Sequence, residues 1–205
     1  MRNFAPRPFS RQRRERGFSL VELLVSVAIL IILAAIAVPT LLRAYRSYQL
    51  GDAASRLSGT MKTTRFAAIR MNTRIKCQVQ QNGSTWLVWA DLDGDGTAQS
   101  TEPQILIGDM VQMLGAGSVP PPDAIVAALG AAGPTLNVMS PGNATVEYDQ
   151  RGARYYPPPS GSTVDVFYLG NTGIPDFGFR AIVLLPAGTV QMWSAGPGGP
   201  WQRIS

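Results

Sequence analysis

Residues 11–42 read RQRRERGFSLVELLVSVAILIILAAIAVPTLL, and this stretch decides how the chain is organised. Between residues 18 and 38 the only clearly polar side chains are those of Ser19, Glu22 and Ser26. A helix of these 21 residues, rising about 1.5 Å per residue, is long enough to cross a hydrocarbon core of about 30 Å. The stretch therefore predicts a transmembrane helix at the start of the chain.

Glu22 is the one charged residue inside this apolar run. A carboxylate at the centre of a bilayer costs on the order of 2.5–3.5 kcal/mol on insertion scales. The apolar segment offers no cationic side chain to pair with it. We therefore expect Glu22 to be functional and to find its partner in another molecule.

The string RGFSLVELL at residues 16–24, followed by an apolar helix and Pro39, resembles the class III leader and N-terminal helix of type IV pilins and pseudopilins. The resemblance implies that a prepilin peptidase cuts between Gly17 and Phe18 and methylates the new N-terminus at Phe18. It also implies that Glu22 acts in assembly and that Pro39 is the family's helix-kinking proline.

Charge is divided unevenly along the chain. Of 18 basic and 13 acidic residues, six arginines and one acid precede Phe18, so that the remainder carries 12 of each and has no net charge. Basic residues beside a transmembrane helix stay in the cytoplasm. The basic residues therefore predict a single-pass protein whose C-terminal part lies across the membrane, and the resemblance implies that this membrane is the cell inner membrane and that the C-terminal part lies in the periplasm. The leader arginines are Arg2, Arg7, Arg11, Arg13, Arg14 and Arg16.

Two other kinds of N-terminal segment fit a basic stretch followed by an apolar one. A secretory signal peptide has an apolar core of about 7–15 residues and a small-residue cleavage site after it, whereas this run is longer and has no such site. An uncleaved membrane anchor carrying a binding protein is the second alternative.

The helix is predicted to continue beyond the membrane to about Asn72. Apolar and small residues recur at spacings of three and four, which places them on one helix face. Pro39 need not end the helix where neighbouring helices satisfy the freed carbonyl. The stripe consists of Leu50, Ala54, Leu57, Met61, Thr64, Ala68 and Met71.

The polar face of this stem is basic, with eight cations from residue 43 to residue 76 and one acid, Asp52. From Cys77 onward the chain has ten acids and four bases. Two interpretations stay open: a surface complementary to acidic neighbours in an assembly, or a solvated helix face. Cys77 itself, the single cysteine, is expected to be a small buried hydrophobic residue.

After the stem the pattern predicts β-strands. Residues 74–80 alternate polar and apolar side chains, Asn82-Gly83 supplies a hairpin turn, and residues 86–90 form the returning strand. Residues 115–134 and 156–161 are rich in Gly, Ala or Pro and are expected to be loops, the first with one or two helical turns. Further strands are expected at residues 104–107, 110–114, 145–148, 152–155, 164–168, 180–185 and 189–193.

These boundaries predict an α+β protein in which a long N-terminal helix packs on an antiparallel, β-rich head. Residues 1–17 are the cleaved leader, residues 18–72 the transmembrane and stem helix, and residues 73–205 the periplasmic head. The helix end TRFAAIRMN at residues 64–72, followed by a strand and a Trp86-x-x-Trp89 strand that leads into an acidic turn, resembles the GspH/FimT group of minor pilins and pseudopilins. The YDQRG turn at residues 148–152 and the hairpin around Gly188 resemble the same group.

An acidic loop follows the second strand. Asp91, Asp93 and Asp95, with Gly96 and then Glu102, match the calcium-loop pattern D-x-D-x-D-G-x5-E. A strand rather than a helix precedes the pattern, which is not the context of an EF-hand. The loop is therefore either a candidate calcium site or a soluble acidic hairpin loop, and no other cofactor is expected.

Nucleic-acid binding and catalysis have weaker support. The DNA-binding members of the FimT side resemble one another in a Gly-Arg-x-Arg element, where this chain reads Gly188-Thr189-Val190-Gln191 and lacks both arginines. The chain has no histidine, which removes the usual general base, and we expect no enzyme. The expected partners are the prepilin peptidase, other pilin or pseudopilin subunits and the inner membrane, without nucleic acid.

The resemblance implies a minor subunit of a type II secretion pseudopilus, with a type IV pilus minor pilin as the alternative. DNA uptake is a subsidiary role within that alternative. The helix is common to both classes of filament, so the sequence leaves the choice open.

Overall fold

The computed structural model describes residues 18–108, 110–130, 135–157 and 163–205. The chain divides into two units, Met1–Leu41 and Leu42–Ser205. The leader, including Gly17 of the predicted cleavage site, lies outside the described residues, as does most of the loop expected at residues 156–161.

Helix α1 spans Leu20–Met71 and ends one residue before the predicted position. Pro39 lies inside it, and the helix continues beyond the proline as expected. At its C-terminal end Asn72 adopts a left-handed conformation with φ of 49°, one that asparagine tolerates better than most residues. Within the second unit, the stripe predicted from residue spacing is buried from Leu50 to Ala68, whereas Met71 at its end is 47% exposed because the helix ends there.

The first sheet has the strand order β3-β2-β1-β6 and is antiparallel throughout. The hairpin between β1 and β2 turns at Gly83, whose φ is +63°. On β1 the side chains alternate, so that Ile75, Cys77 and Val79 face the core while the residues between them do not. The strands are β1 (Ile75–Asn82), β2 (Thr85–Asp91), β3 (Gln104–Ile107) and β6 (Asn143–Tyr148).

The second sheet has the order β10-β9-β8-β7-β4, and β5 pairs with β7. All of its pairs are antiparallel except that between β5 and β7. Between β4 and β5 the chain forms a 3-10 turn, Ala116–Ser118, and the short helix α2, Asp123–Ala128. The strands are β4 (Gln112–Leu114), β5 (Leu136–Val138), β7 (Val164–Gly170), β8 (Phe179–Leu184), β9 (Val190–Ala195) and β10 (Gln202–Arg203).

Two apolar clusters lie on opposite sides of the second sheet. One joins the stem part of α1 to the inner faces of both sheets, and it includes Phe167 and Leu169 of β7. The other lies beneath α2 and includes Val166 and Tyr168 of the same strand. Because both faces of β7 are covered, all seven of its residues are buried, and they include the charged residue Asp165.

Most predicted strands are present, with three differences. Residues 152–155 were expected to form a strand, but they make only an isolated bridge between Tyr148 and Arg154 because Gly152 sits in a turn with φ of +76°. Strands β5 and β10 were not expected, since they have only three and two residues; β5 pairs with the distant strand β7, and β10 pairs with the preceding strand β9. The loop expected at residues 115–134 contains the predicted short helix, and residues 131–134 lie outside the described part.

Candidate assembly helix and acidic loop

The apolar part of α1 in the first unit is exposed along its whole length. Between Leu20 and Leu41 its large hydrophobic side chains are 45% to 79% accessible, and Phe18 is 76% accessible. Among the described residues, α1 is the one helix long and apolar enough to cross a membrane. A surface of this kind is stable only in lipid or against other apolar helices.

Glu22 lies in the first turn of α1 and is exposed. Its carboxylate forms no hydrogen bond or ion pair with any residue in the described part of the chain. The Ser26 hydroxyl donates to the backbone carbonyl oxygen of Glu22 at 2.7 Å, so that this serine is satisfied within the helix. The carboxylate is thus the polar group of the apolar segment that still needs a partner.

The acidic loop brings three of its four predicted ligands together. One carboxylate oxygen from each of Asp91, Asp93 and Asp95 lies within 4.8 Å of the others. Asp91 is buried at the end of β2, where its Oδ2 accepts a hydrogen bond from Gln78 Nε2 at 3.0 Å. Asp93 and Asp95 are exposed.

Glu102 is not part of this group, and its carboxylate binds backbone amides of the loop instead. It is 6% exposed, its Oε1 accepts from the Leu92 amide at 2.7 Å, and its Oε2 accepts from the Gln99 amide at 3.2 Å. The buried Glu102 carboxylate therefore ties the two ends of the loop through backbone amides.

Donors within the protein already satisfy the aspartates. The Gly94 amide donates to Asp91 Oδ1 at 2.8 Å, and Gln99 Nε2 donates to Asp93 Oδ2 and to Asp95 Oδ2. The Thr97 hydroxyl and amide donate to Asp95 Oδ1, and these bonds hold the pKa of that carboxyl below its usual range. The carboxylate oxygens of the three aspartates are the kind of ligand that calcium prefers. The hydrogen bonds within the loop also hold its shape without an ion.

A junction between the stem and two turns was not predicted. Arg65 Nε donates to the Gly152 carbonyl oxygen at 2.8 Å, and its Nη2 donates to the Ala187 carbonyl oxygen at 3.3 Å. A Cβ atom on Gly188 would collide with the Gly152 carbonyl oxygen. Three of the segments whose sequences resemble the GspH/FimT group thus meet at one place in the fold.

A buried ion pair joins the two sheets and was also not predicted. Arg154 Nε donates to Asp165 Oδ2 at 2.6 Å, and the Asp165 side chain is inaccessible. Asn137 Nδ2 donates to Asp165 Oδ1 at 2.7 Å, while Arg154 also donates to the carbonyl oxygens of Thr145 and Glu147. The residues are distant in sequence, so no local pattern identifies the pair.

Two of the basic residues between positions 43 and 76 make cation–π contacts with aromatic rings of the head. Arg46 lies 5.1 Å from the centre of the Phe177 ring, and Arg74 lies 3.9 Å from that of Tyr155. Within the stem, Arg56 forms an ion pair at 3.9 Å with Asp52. By contrast, Lys62 and Arg70 are exposed and form no ion pair with the described residues.

Comparison with known proteins supports the N-terminal part of this description. Residues 12–38 match the family described as the prokaryotic N-terminal methylation motif. No curated protein matches the chain. Two crystal structures of the type IV minor pilin FimU of Pseudomonas aeruginosa strain PAO1 are similar to it. One has 15% identity, covers 71% of this chain and 88% of its own, and has a TM-score of 0.41. The other has 17% identity, covers 70% and 91%, and has a TM-score of 0.40.

The methylation motif spans the Gly17-Phe18 bond and includes Glu22, and it leads directly into the exposed apolar helix. The second unit adds the remainder of that helix, packed on antiparallel sheets. Residues 12–38 thus carry a prokaryotic N-terminal methylation motif, and from Leu20 onward that motif is part of the exposed apolar helix.

Proposed function

We propose that this protein is a non-enzymatic subunit of a membrane-rooted filament and that it assembles through the apolar part of α1. The observation that carries the proposal is the methylation motif at residues 12–38, which extends into an apolar helical segment that is exposed along its length and holds one carboxylate without an ion pair among the described residues. Before assembly, the same helix anchors the subunit in the inner membrane as a single pass, with its head in the periplasm.

Maturation creates the partner that Glu22 lacks. Cleavage between Gly17 and Phe18 removes the arginine-rich leader and leaves an ammonium group, N-methylated, on Phe18. In the apolar interior of a helix bundle, the Glu22 carboxylate of one subunit pairs with this ammonium group on a neighbour. One contact then offsets two buried charges and fixes the axial position of the subunit.

Two filament classes share this mechanism. The first is the pseudopilus of a type II secretion system, in which the protein is a minor pseudopilin that serves protein secretion. The second is a type IV pilus, in which it is a minor pilin. Deletion of the gene distinguishes them, because the first predicts loss of secreted enzymes from the medium and the second predicts loss of surface pili.

The assembly mechanism is tested with Glu22→Ala in the full chain, co-produced with the prepilin peptidase and the other filament subunits. We expect membrane insertion and an N-methylated Phe18 by mass spectrometry, together with loss of the subunit from sheared filaments. Ser26→Ala is the matched control, since it lies one turn further along α1 and its hydroxyl bonds only within the helix. Normal incorporation of Glu22→Ala would overturn the mechanism.

The processing step has its own test. Mass spectrometry of the mature protein should find Phe18 at the N-terminus and a mass consistent with one added methyl group. Finding Met1 or Arg2 there would identify an uncleaved anchored binding protein instead.

DNA uptake is a subsidiary possibility of the pilus class. The chain has no net charge after Phe18, and phosphate attraction dominates DNA affinity, so binding should be weak. A gel shift with the purified protein at low salt tests this expectation, and clear retardation would support a role in DNA uptake.

A further inference from the structure

One surface of the head-bearing unit carries unpaired charges of both signs. Lys62, Phe66 and Arg70 are spaced four residues apart on α1 and form an exposed stripe, here called the basic stripe. Asp93 and Asp95 of the acidic loop are exposed and form no ion pair with any described residue. The stripe and the loop thus present opposite charges that form no ion pair with the described residues, although Asp93 and Asp95 accept hydrogen bonds within their own loop.

The two charged features lie side by side. A hollow of about 190 Å³ lies between the stem and the two ends of the acidic loop, and it is lined by Thr63, Phe66, Ala67 and Arg70 of the stem and by Leu92 and Pro103 of the loop. Phe66 is 64% exposed at its edge. The hollow therefore adds a partly apolar surface next to the basic stripe and the acidic loop.

We infer that this surface pairs two copies of the protein through a twofold axis. In such a contact the basic stripe of each copy faces the acidic loop of the other, so every charge meets its opposite. Phe66 is the apolar anchor, because an exposed aromatic ring beside a hollow is what a partner surface most readily covers. The occupant is a second copy because the same face supplies both charges.

This pairing goes beyond the proposed function and does not depend on it. It uses residues 62–70 and 92–103, whereas filament assembly uses the apolar segment that begins at Phe18. It should be weak, since exposed ion pairs contribute little individually and are screened by salt.

Charge reversal provides the test, with the full chain in detergent micelles and analytical ultracentrifugation at low salt. One variant is Lys62→Glu with Arg70→Glu, and the other is Asp93→Lys with Asp95→Lys. Each alone places like charges opposite one another and should weaken pairing at least about tenfold. An equimolar mixture of the two variants should pair again. The first variant carries acidic side chains at positions 62, 70, 93 and 95, and the second carries basic side chains at the same four positions.

The controls separate this contact from association of the apolar helices. Both variants leave residues 18–42 unchanged, so a dimer that persists in each variant alone would be helix-driven and would overturn the inference. A wild-type protein that stays monomeric at low salt, or a mixture that fails to pair, would overturn it as well. Thermal melting of each variant shows whether it is folded. Loss of filament incorporation in Glu22→Ala reports separately on the proposed function.

Discussion

The guanidinium group of Arg65 reaches from the stem helix to the carbonyl oxygen of Gly152, with 2.8 Å between Nε and that oxygen. Its Nη2 reaches the carbonyl oxygen of Ala187 in a second turn. One side chain therefore fixes two turns of the head to the helix. This junction determines how the C-terminal hairpin and the turn after β6 sit against the stem.

Arg65→Ala should destabilise the head by about 1–3 kcal/mol, because the buried Gly152 carbonyl group loses its partner. Urea unfolding of the full chain in detergent, followed by tryptophan fluorescence, measures the change. Arg70→Ala is the control; it removes an exposed cation one turn away and should change stability by less than about 0.5 kcal/mol. Equal stability of the two variants would show that the Arg65 contacts contribute nothing.

Glycine is required at position 188 for two separable reasons. Its φ is +77°, and a Cβ atom there would meet the Gly152 carbonyl oxygen. Gly83, with φ of +63°, has open space around the corresponding position. Gly83→Ala should therefore cost about 1 kcal/mol from backbone strain alone.

In Gly188→Ala the new Cβ atom also collides with the Gly152 carbonyl oxygen. This variant should therefore lower the free energy of unfolding by at least about 2 kcal/mol more than Gly83→Ala does. The two melting temperatures, measured side by side, give the difference. If both substitutions have the same effect, the contact between the two turns is looser than the structure shows.

The features that could be predicted from the sequence are those that depend on the order of neighbouring residues. Alternation identified β1, the Asn82-Gly83 pair identified the first hairpin, and three-and-four spacing identified the buried face of the stem, each of which the structure confirms. These features depend on neighbours in sequence. Local resemblance to the GspH/FimT group also picked out the segments around Arg65, Gly152 and Gly188.

What the sequence did not predict depends on distant partners. Nothing near Arg65 indicates that its partner is Gly152, 87 residues away, and nothing near Asp165 indicates Asn137. Strand β5 has only three residues and exists because β7 offers it a parallel edge. The calcium pattern of Asp91, Asp93, Asp95 and Glu102 was identified, but not that Glu102 would bond backbone amides.

The ion pair between Arg154 and Asp165 should be essential to the head. Asp165→Asn leaves a buried guanidinium without its counter-charge and should cost about 3–5 kcal/mol. Asp176→Asn, at an exposed position, is the control. The double variant Arg154→Met with Asp165→Leu should be less destabilised than Asp165→Asn, because it removes both buried charges. A double variant that is at least as destabilised as Asp165→Asn would contradict this account.

The thiol of Cys77 should make stability depend on alkaline pH. Burial raises its pKa from the ordinary value of 9.0 to about 12, against a smaller opposing effect of the Thr64 hydroxyl. Below pH 9 the thiol is protonated in both folded and unfolded states. Between about pH 9 and pH 12 the unfolded chain loses this proton and the folded chain keeps it, so the free energy of unfolding falls as pH rises.

Cys77→Ala should remove this part of the pH dependence, which reaches at most about 1.4 kcal/mol per pH unit. The comparison is between the slopes of wild type and variant over the same alkaline range, since tyrosines also titrate there. The folded thiol should also resist maleimide at neutral pH and react only on unfolding. Rapid labelling of the native protein would show that Cys77 is not buried.

Calcium binding by the acidic loop stays a prediction. Extracellular calcium modules bind in the range of about 10⁻⁴–10⁻³ M, so roughly 10 mM calcium should raise the melting temperature by a few degrees if the site forms. Asp93→Asn should abolish the increase, because Asp93 is exposed and its replacement keeps the shape of the side chain. Asp91 is a poor choice for this test, since its bonds to Gln78 and Gly94 support the folded loop itself. Identical melting curves with and without calcium, together with no heat in calorimetry, would leave the loop as an acidic hairpin connection held by its own hydrogen bonds.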